Sequence, residues 1–212
     1  MKKLLSFIFA CCFVPAALAV GGPYEEGTHY KVVAEQGTNK PEVKEFFSFY
    51  CPACFGFDPF VQSLGKSLPE GTTLKKFHVD FMGQASQEIQ AGLTQAMILA
   101  KIKGKGDEVS TAIFNHIHVK RQPFSSPADI KAVVVAAGID AAVYDKEINN
   151  FVVKSQVKLM QKSQADASKS KVLDGVPTFI VNGRFKIINQ GLDKTNTEQD
   201  FKALVQYLLT KP

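Results

Sequence analysis

Two cysteines, Cys51 and Cys54, stand two residues apart directly after an apolar, aromatic-rich stretch, Val43-Lys44-Glu45-Phe46-Phe47-Ser48-Phe49-Tyr50. That stretch is short and bounded by Pro41 and Pro52, so it reads as a buried strand over 42–50. Pro52 suits the first turn of a helix, where a missing N–H costs nothing, and a helix over 52–66 follows, with Gly56 and Pro59 as candidate kinks. Cys51 then falls at the junction of strand and helix. Free backbone N–H groups and the helix dipole favour negative charge there, and thiolate is the reactive form of cysteine.

The use of cysteine elsewhere sharpens this. Residues 1–19 read as a secretory signal: Lys2 and Lys3 form a basic start, Leu4 to Val14 an apolar core, and Ala17-Leu18-Ala19 a small-residue cleavage site. The apolar run is too short for a bilayer span, which takes about 20 residues. Lipid attachment at Cys11 is a weaker alternative, because Phe9 fits a lipobox poorly. Of the four cysteines, Cys11 and Cys12 leave with the signal, so an exported chain keeps only Cys51 and Cys54. One bridge closing so small a loop removes little chain entropy, and structural bridges in secreted proteins come several to a small domain. A redox role fits the pair better than a staple does. Zinc is the other reading of paired cysteines, but it takes four ligands, and His116 and His118 share one helical segment. No metal and no cofactor is expected.

Composition excludes other classes. The chain has 212 residues, 45% hydrophobic and 21% charged, which suits one globular domain or one carrying an insertion. Its formal charge of +5 falls to +3 without Lys2 and Lys3, and no basic run is interleaved with aromatics. Nucleic acid is therefore not an expected partner.

Along the chain, His29 to Val33 alternates as an edge strand, and Thr73 to Asp80 is a second main strand. Strand, helix and strand over 42–80 make a βαβ unit with parallel strands. Helical spacing then takes over, at 85–103 and again at 107–119. Ser126-Pro127-Ala128-Asp129 caps a helix that stops at Gly138. The next helix starts at Ile139-Asp140 and carries Val143, Ile148, Phe151, Val152, Val157 and Met160 on its apolar side. Strand signals return at Thr178 to Val181. Asn182-Gly183 marks a hairpin turn, Phe185 to Ile188 is the returning strand, and Thr197 to Thr210 is a final amphipathic helix.

A βαβ half with Cys-x-x-Cys at its first helix, followed later by a hairpin and a helix, resembles the thioredoxin fold. Val176-Pro177-Thr178 sits where that fold places a cis-proline facing the cysteines. The stretches Glu45 to Pro52, Phe77-His78-Val79, Phe151 to Ser155 and Gly175-Val176-Pro177 resemble the DsbA-like thiol:disulfide oxidoreductases of the bacterial periplasm. The resemblance spans essentially all of the chain after its signal. It implies an α/β thioredoxin fold with a helical domain inserted between the βαβ half and the ββα half. The expected parts are a signal peptide at 1–19, a thioredoxin-like domain at 20–82 and 168–212, and the insertion at 83–167.

The resemblance also implies roles. Cys51 is the sulfur that exchanges, Cys54 its partner in a redox-active disulfide, and Pro177 a cis-proline that presents the backbone of Val176 to substrate. Glu45, an acid in an apolar strand, handles the proton of Cys54 or pairs with Lys76 on the neighbouring strand; burial raises its pKa. Phe57 and Met82 line an apolar groove beside Cys51 or fill the core. Asp58 matches an acidic position of the family or is a solvated helix charge. His29 and His78 are structural. The activity implied is donation of a disulfide to newly exported, reduced and unfolded proteins by a monomer that a DsbB-type membrane partner re-oxidises. Two alternatives remain open: reductase or isomerase chemistry in the same compartment, and a peptide-binding chaperone with incidental thiols. One departure matters. Ala53 stands where DsbA-type enzymes have histidine, which predicts a less acidic Cys51 and a weaker oxidant.

Overall fold

In the computed structural model, residues 23–211 are described, so the readings on the signal, Cys11 and Cys12 lie outside them. Five strands form one mixed sheet in the order β1-β5-β4-β2-β3. They are β1 (Tyr30–Val32), β2 (Glu42–Phe47), β3 (Thr73–His78), β4 (Thr178–Val181) and β5 (Phe185–Ile187). β2 pairs parallel with β3 across α1 (Pro52–Ser67), as a βαβ unit requires, while β4 adds antiparallel to the other side of β2.

Both main strands end earlier than the apolar pattern suggests. β2 stops at Phe47 because Ser48 turns the chain: its hydroxyl accepts from Tyr50 N (3.1 Å) and its carbonyl from Cys51 N (3.1 Å). β3 stops at His78, although Val79 N still donates to Phe47 O (2.8 Å). α1 runs unbroken through Gly56 and Pro59. The hairpin between β4 and β5 turns at Asn182 and Gly183, with φ of 51° and 65°, the left-handed pair that a two-residue primed turn needs.

Between β3 and β4 lie five helices: α2 (Gln87–Ile102), α3 (Gly106–His118), α4 (Pro127–Ala136), α5 (Ala141–Glu147) and α6 (Phe151–Lys169). α4 starts at the expected Ser126 cap, which the structure completes as a capping box, with Ser126 Oγ accepting from Asp129 N and Asp129 Oδ2 accepting from Ser126 N. The single helix expected from Asp140 is instead two. The first stops at Glu147 with Ile148 as its C-cap, and Asn150 caps the second, its Oδ1 accepting from Val153 N at 2.8 Å. That break rotates the apolar face: Val153, Val157 and Met160 are buried, but Phe151 and Val152 stand 84% and 54% exposed. α7 (Thr197–Thr210) closes the chain as expected.

Alternation along the strands sorts the core. Val43, Phe179 and Val181 pack with α1 and α7 on one face. Phe46 and Ile180 point to the other face, towards Ser163 and Ala167 of α6. The core of the helical block is continuous with the strand that leads to the cysteines, since Phe46, Phe47, Phe49, Cys51 and Cys54 share one cluster with Leu93, Ile113 and Phe114. Among the described residues, no helix is long and apolar enough to cross a membrane.

Candidate active site

Cys51 is the N-cap residue of α1, with extended backbone (φ −90°, ψ 115°), and Pro52 opens the helix. The geometry makes sulfur the capping atom: Cys54 N donates to Cys51 Sγ at 3.2 Å. On its other side Cys51 Sγ lies 3.4 Å from Val176 O, to which it donates when protonated and not as thiolate, and the Val176–Pro177 bond is cis. Pro177 immediately precedes β4, whose Thr178 is opposite Phe46, so strand pairing carries the proline loop up to the cysteines. Both cysteines are free thiols and buried.

Their two thiols are polarised in opposite senses. The Cys54 thiol, donating to the Cys51 thiolate, pulls Cys51 down to about 6, against the opposing effect of burial, and the N–H groups of Cys54 and Ala53 add to the pull. Cys54 is pushed up by the same hydrogen bond, then by burial and by the negative charge of Glu45. The pair therefore holds one negative charge at neutral pH, and it sits on Cys51.

Beneath the cysteines lies a buried ionic group. Glu45 of β2 and Lys76 of β3 are paired in register, with Lys76 Nζ 3.8 Å from Glu45 Oε2. Lys76 also donates to Asp58 of α1, one helical turn beyond Cys54, and Gln62 donates to the other Asp58 oxygen at 2.7 Å. Asp58 is therefore not a solvated helix charge but a buried partner of Lys76. Burial pushes Glu45 up to about 7, with Lys76 opposing and the charges of Asp58 and Cys51 assisting. Burial works against the Lys76 charge too, but Glu45 and Asp58 outweigh it and raise that pKa. The expected Glu45–Lys76 pair and the expected elevated Glu45 pKa are both present, as parts of one three-residue network.

Other expected site residues fall elsewhere. A pocket of about 430 Å³ opens beside Ala53, Val176, Pro177 and Thr178, and neither Phe57 nor Met82 lines it. Phe57 packs on the rings of Phe60, Phe179 and Phe201, at 4.8, 5.8 and 5.5 Å, so it serves the core between α1, β4 and α7. Met82 packs against the larger core, and its backbone is held by the Gln90 side chain. His78 is structural: its Nδ1 lies 2.8 Å from Thr94 Oγ1, and burial pushes its pKa down to about 3. His29 takes a hydrogen bond from Glu25 N. His116 and His118 belong to no group of three potential ligands among the described residues. Instead His118 stacks on Phe55 (4.8 Å, 7°) and donates to Phe49 O (2.8 Å), steadying the loop before Cys51. The sequence carried no signal for that contact. For Asp58 it did: four residues after Cys54 is the same face of a helix.

Residues 42–201 match the family model of the DSBA-like thioredoxin domain. The chain belongs to the DsbA-like thioredoxin family. It is 36% identical to the thiol:disulfide interchange protein DsbA of Pectobacterium carotovorum subsp. carotovorum over 217 aligned positions covering all of both chains. It is 35% identical to DsbA of Yersinia pestis over 204 positions, 93% of this chain and 94% of that one. The crystal structure of Proteus mirabilis DsbA covers 89% of this chain and 98% of its own, at 31% identity and a TM-score of 0.75. A cysteine-to-serine variant of the same Proteus enzyme, in complex with the non-covalently bound peptide PWATCDS, gives 32% identity and a TM-score of 0.76, covering 89% and 99%. Within this DsbA-like family the chain is a thiol:disulfide oxidoreductase that forms disulfides, and it carries a Cys-x-x-Cys pair at Cys51 and Cys54.

Proposed function

We propose that the protein is exported by the signal at residues 1–19 and works in the periplasm as a monomer, donating its Cys51–Cys54 disulfide to newly exported proteins. The division into a thioredoxin-like domain at 20–82 and 168–212 and a helical insertion at 83–167 belongs to the same reading. The observation that carries it is the position of Cys51 Sγ at the helix N-cap, beside the Val176 carbonyl of the cis-proline loop. A sulfur stabilised there as thiolate is a good leaving group, and its disulfide is correspondingly reactive.

The exchange runs in two steps. A substrate thiolate attacks Cys51 Sγ; the Cys51–Cys54 bond breaks, a mixed disulfide forms, and the electron pair leaves on Cys54, which takes a proton. Glu45, with its pKa near neutrality, suits that proton's delivery. A second substrate thiolate then attacks the substrate sulfur of the mixed disulfide and releases Cys51 as thiolate. The substrate has lost two electrons and gained one bridge. The dithiol left behind is re-oxidised by a DsbB-type membrane partner. Val176 offers backbone to an extended substrate segment, as a strand edge does, and the Proteus relative's bound peptide supports a polypeptide substrate.

The test is an equilibrium redox titration against glutathione, with Cys51→Ser as control on reduced, unfolded protein. Reference potentials are about −120 mV for DsbA and about −270 mV for thioredoxin, and a tenfold change is about 30 mV. Cys51 is less acidic, at about 6, than the DsbA thiol at about 3.5, so the potential is expected below that of DsbA and above that of thioredoxin. A thioredoxin-like value would overturn donation in favour of reduction. Full activity of Cys51→Ser would favour a chaperone.

A further inference from the structure

The pocket beside Ala53 and Pro177 carries a charge arrangement that the redox chemistry does not use. β1 and β5 pair so that Lys31 stands directly opposite Lys186. Both side chains line the same pocket. Like charges directly opposite across strands are destabilising, so such a pair calls for an anion. One is present: Asp174, just before the cis-proline loop, takes Lys186 Nζ on its Oδ1 at 2.7 Å. That hydrogen bond holds the Asp174 carboxyl below the usual range, and the charge of Lys31 contributes to the shift. Lys31 itself has no carboxylate within ion-pair distance among the described residues. Asn189 and Gln190, which also line the pocket, are neutral. Two cations thus share one anion at the mouth of the redox site.

A lone lysine on an edge strand has a simpler explanation, since it guards an open edge against pairing. Lys186 does not fit it. It belongs to an interior strand, and its side chain is only 15% exposed.

We propose that this pocket seats the substrate segment flanking the reacting cysteine, and that Lys31, with Lys186 behind it, selects segments carrying an aspartate or glutamate near that cysteine. The inference rests on the oxidase reading above. The arriving carboxylate supplies the missing negative charge beside Lys31, while Asp174 keeps Lys186. Asp174 also repels an acid placed too near the proline loop, so the preference depends on position along the peptide.

The experiment measures the rate of mixed-disulfide formation between the oxidised protein and single-cysteine peptides. An alanine-flanked peptide is the reference. Aspartate or lysine is placed in turn at each of the three positions on either side of the cysteine. Each peptide's rate with oxidised glutathione corrects for the effect of its own charge on its thiol. At low salt, the best aspartate peptide is expected to react about three- to fivefold faster than the reference, the range of one partly exposed ion pair, and the advantage should shrink as salt rises. Lys31→Gln should bring the ratio to about one, and Lys31→Glu should turn it in favour of lysine peptides. The reference peptide reports whether each variant still folds and exchanges. A wild-type ratio of one at every position overturns the selectivity, as does a ratio that survives both substitutions. If the reference peptide does not react with wild-type protein at all, it is the oxidase reading that fails.

Discussion

At the scale of single residues, the chemistry turns on which of two sulfurs carries a charge. Cys51 gains three hydrogen bonds from α1, from the thiol and the N–H of Cys54 and the N–H of Ala53, while Cys54 sits inside the core beside a second negative group. Following the thiolate absorbance of the reduced protein should therefore give a midpoint of about 6. Ala53→His, which restores the residue of DsbA-type enzymes, should lower it; equal midpoints would remove Ala53 from the explanation. Glu45 makes the opposite kind of prediction. Its folded pKa, about 7, lies above its ordinary value of 4.5, so the fold favours the protonated form. Between those values the native state binds a proton that the unfolded state has lost. The Glu45 contribution to stability then falls as pH rises from 4.5 to about 7, by an amount on the order of 3 kcal/mol, and it is read in the oxidised protein, because in the reduced one the lowered Cys51 pKa adds stability above about 6. Glu45→Gln should abolish that decline in denaturant titrations made across the range, and should flatten the pH profile of thiol exchange. A profile identical to wild type would leave Glu45 as a structural acid only.

At the scale of elements, the sequence was readable wherever a local rule decided the structure. Ser126-Pro127-Ala128-Asp129 became a capping box, Asn182-Gly183 a primed turn, and Cys51-Pro52 a helix start. It was less readable where two rules competed. Ser48-Phe49-Tyr50 is as apolar as the strand before it, but a serine hydroxyl that bonds to the backbone two residues on ends the strand. Phe151 and Val152 fit a helical apolar stripe until Asn150 interrupts it, and only the interruption shows that they face out. Phe57 looked like a groove residue because it follows the motif; three neighbouring rings, two of them more than a hundred residues away, claim it for the core. The opposed lysines were hidden altogether, since pairing Lys31 with Lys186 needs the register of strands far apart in the chain. Asn150 offers a direct check on the helix break. Asn150→Ala removes the cap of α6 and should cost about 1 kcal/mol, a fall of about 2–4 °C in Tm for a chain of this size. If Tm does not move, the bond to Val153 N is not what starts the helix.

At the scale of the whole molecule, the question is whether the helices between β3 and β4 are an appendage or part of the redox unit. Phe114 of α3 decides it. Its ring lies 6.0 Å from Phe47, 4.9 Å from Phe49 and 5.9 Å from Phe55, which are the end of β2, the turn before Cys51 and the residue after Cys54. One fully buried side chain on the helical block is thus packed against both flanks of the active site. Such a core transmits strain rather than absorbing it, because it is close-packed. Three consequences are expected. Wild-type unfolding in urea should be a single transition, with far-UV circular dichroism, dominated by the helices, coinciding with the fluorescence of the tyrosines, since the chain has no tryptophan. Phe114→Ala should lower stability by about 3–5 kcal/mol, with the two signals still moving together. Phe114→Leu, which keeps most of the volume, should cost less and yet change the rate at which Cys51 reacts with a small thiol reagent, because the aromatic contact with Phe49 and Phe55 is lost. Separate transitions for the two signals, or a Cys51 rate indifferent to Phe114→Leu, would mean that the helical block merely covers a thioredoxin-like unit able to fold and react without it.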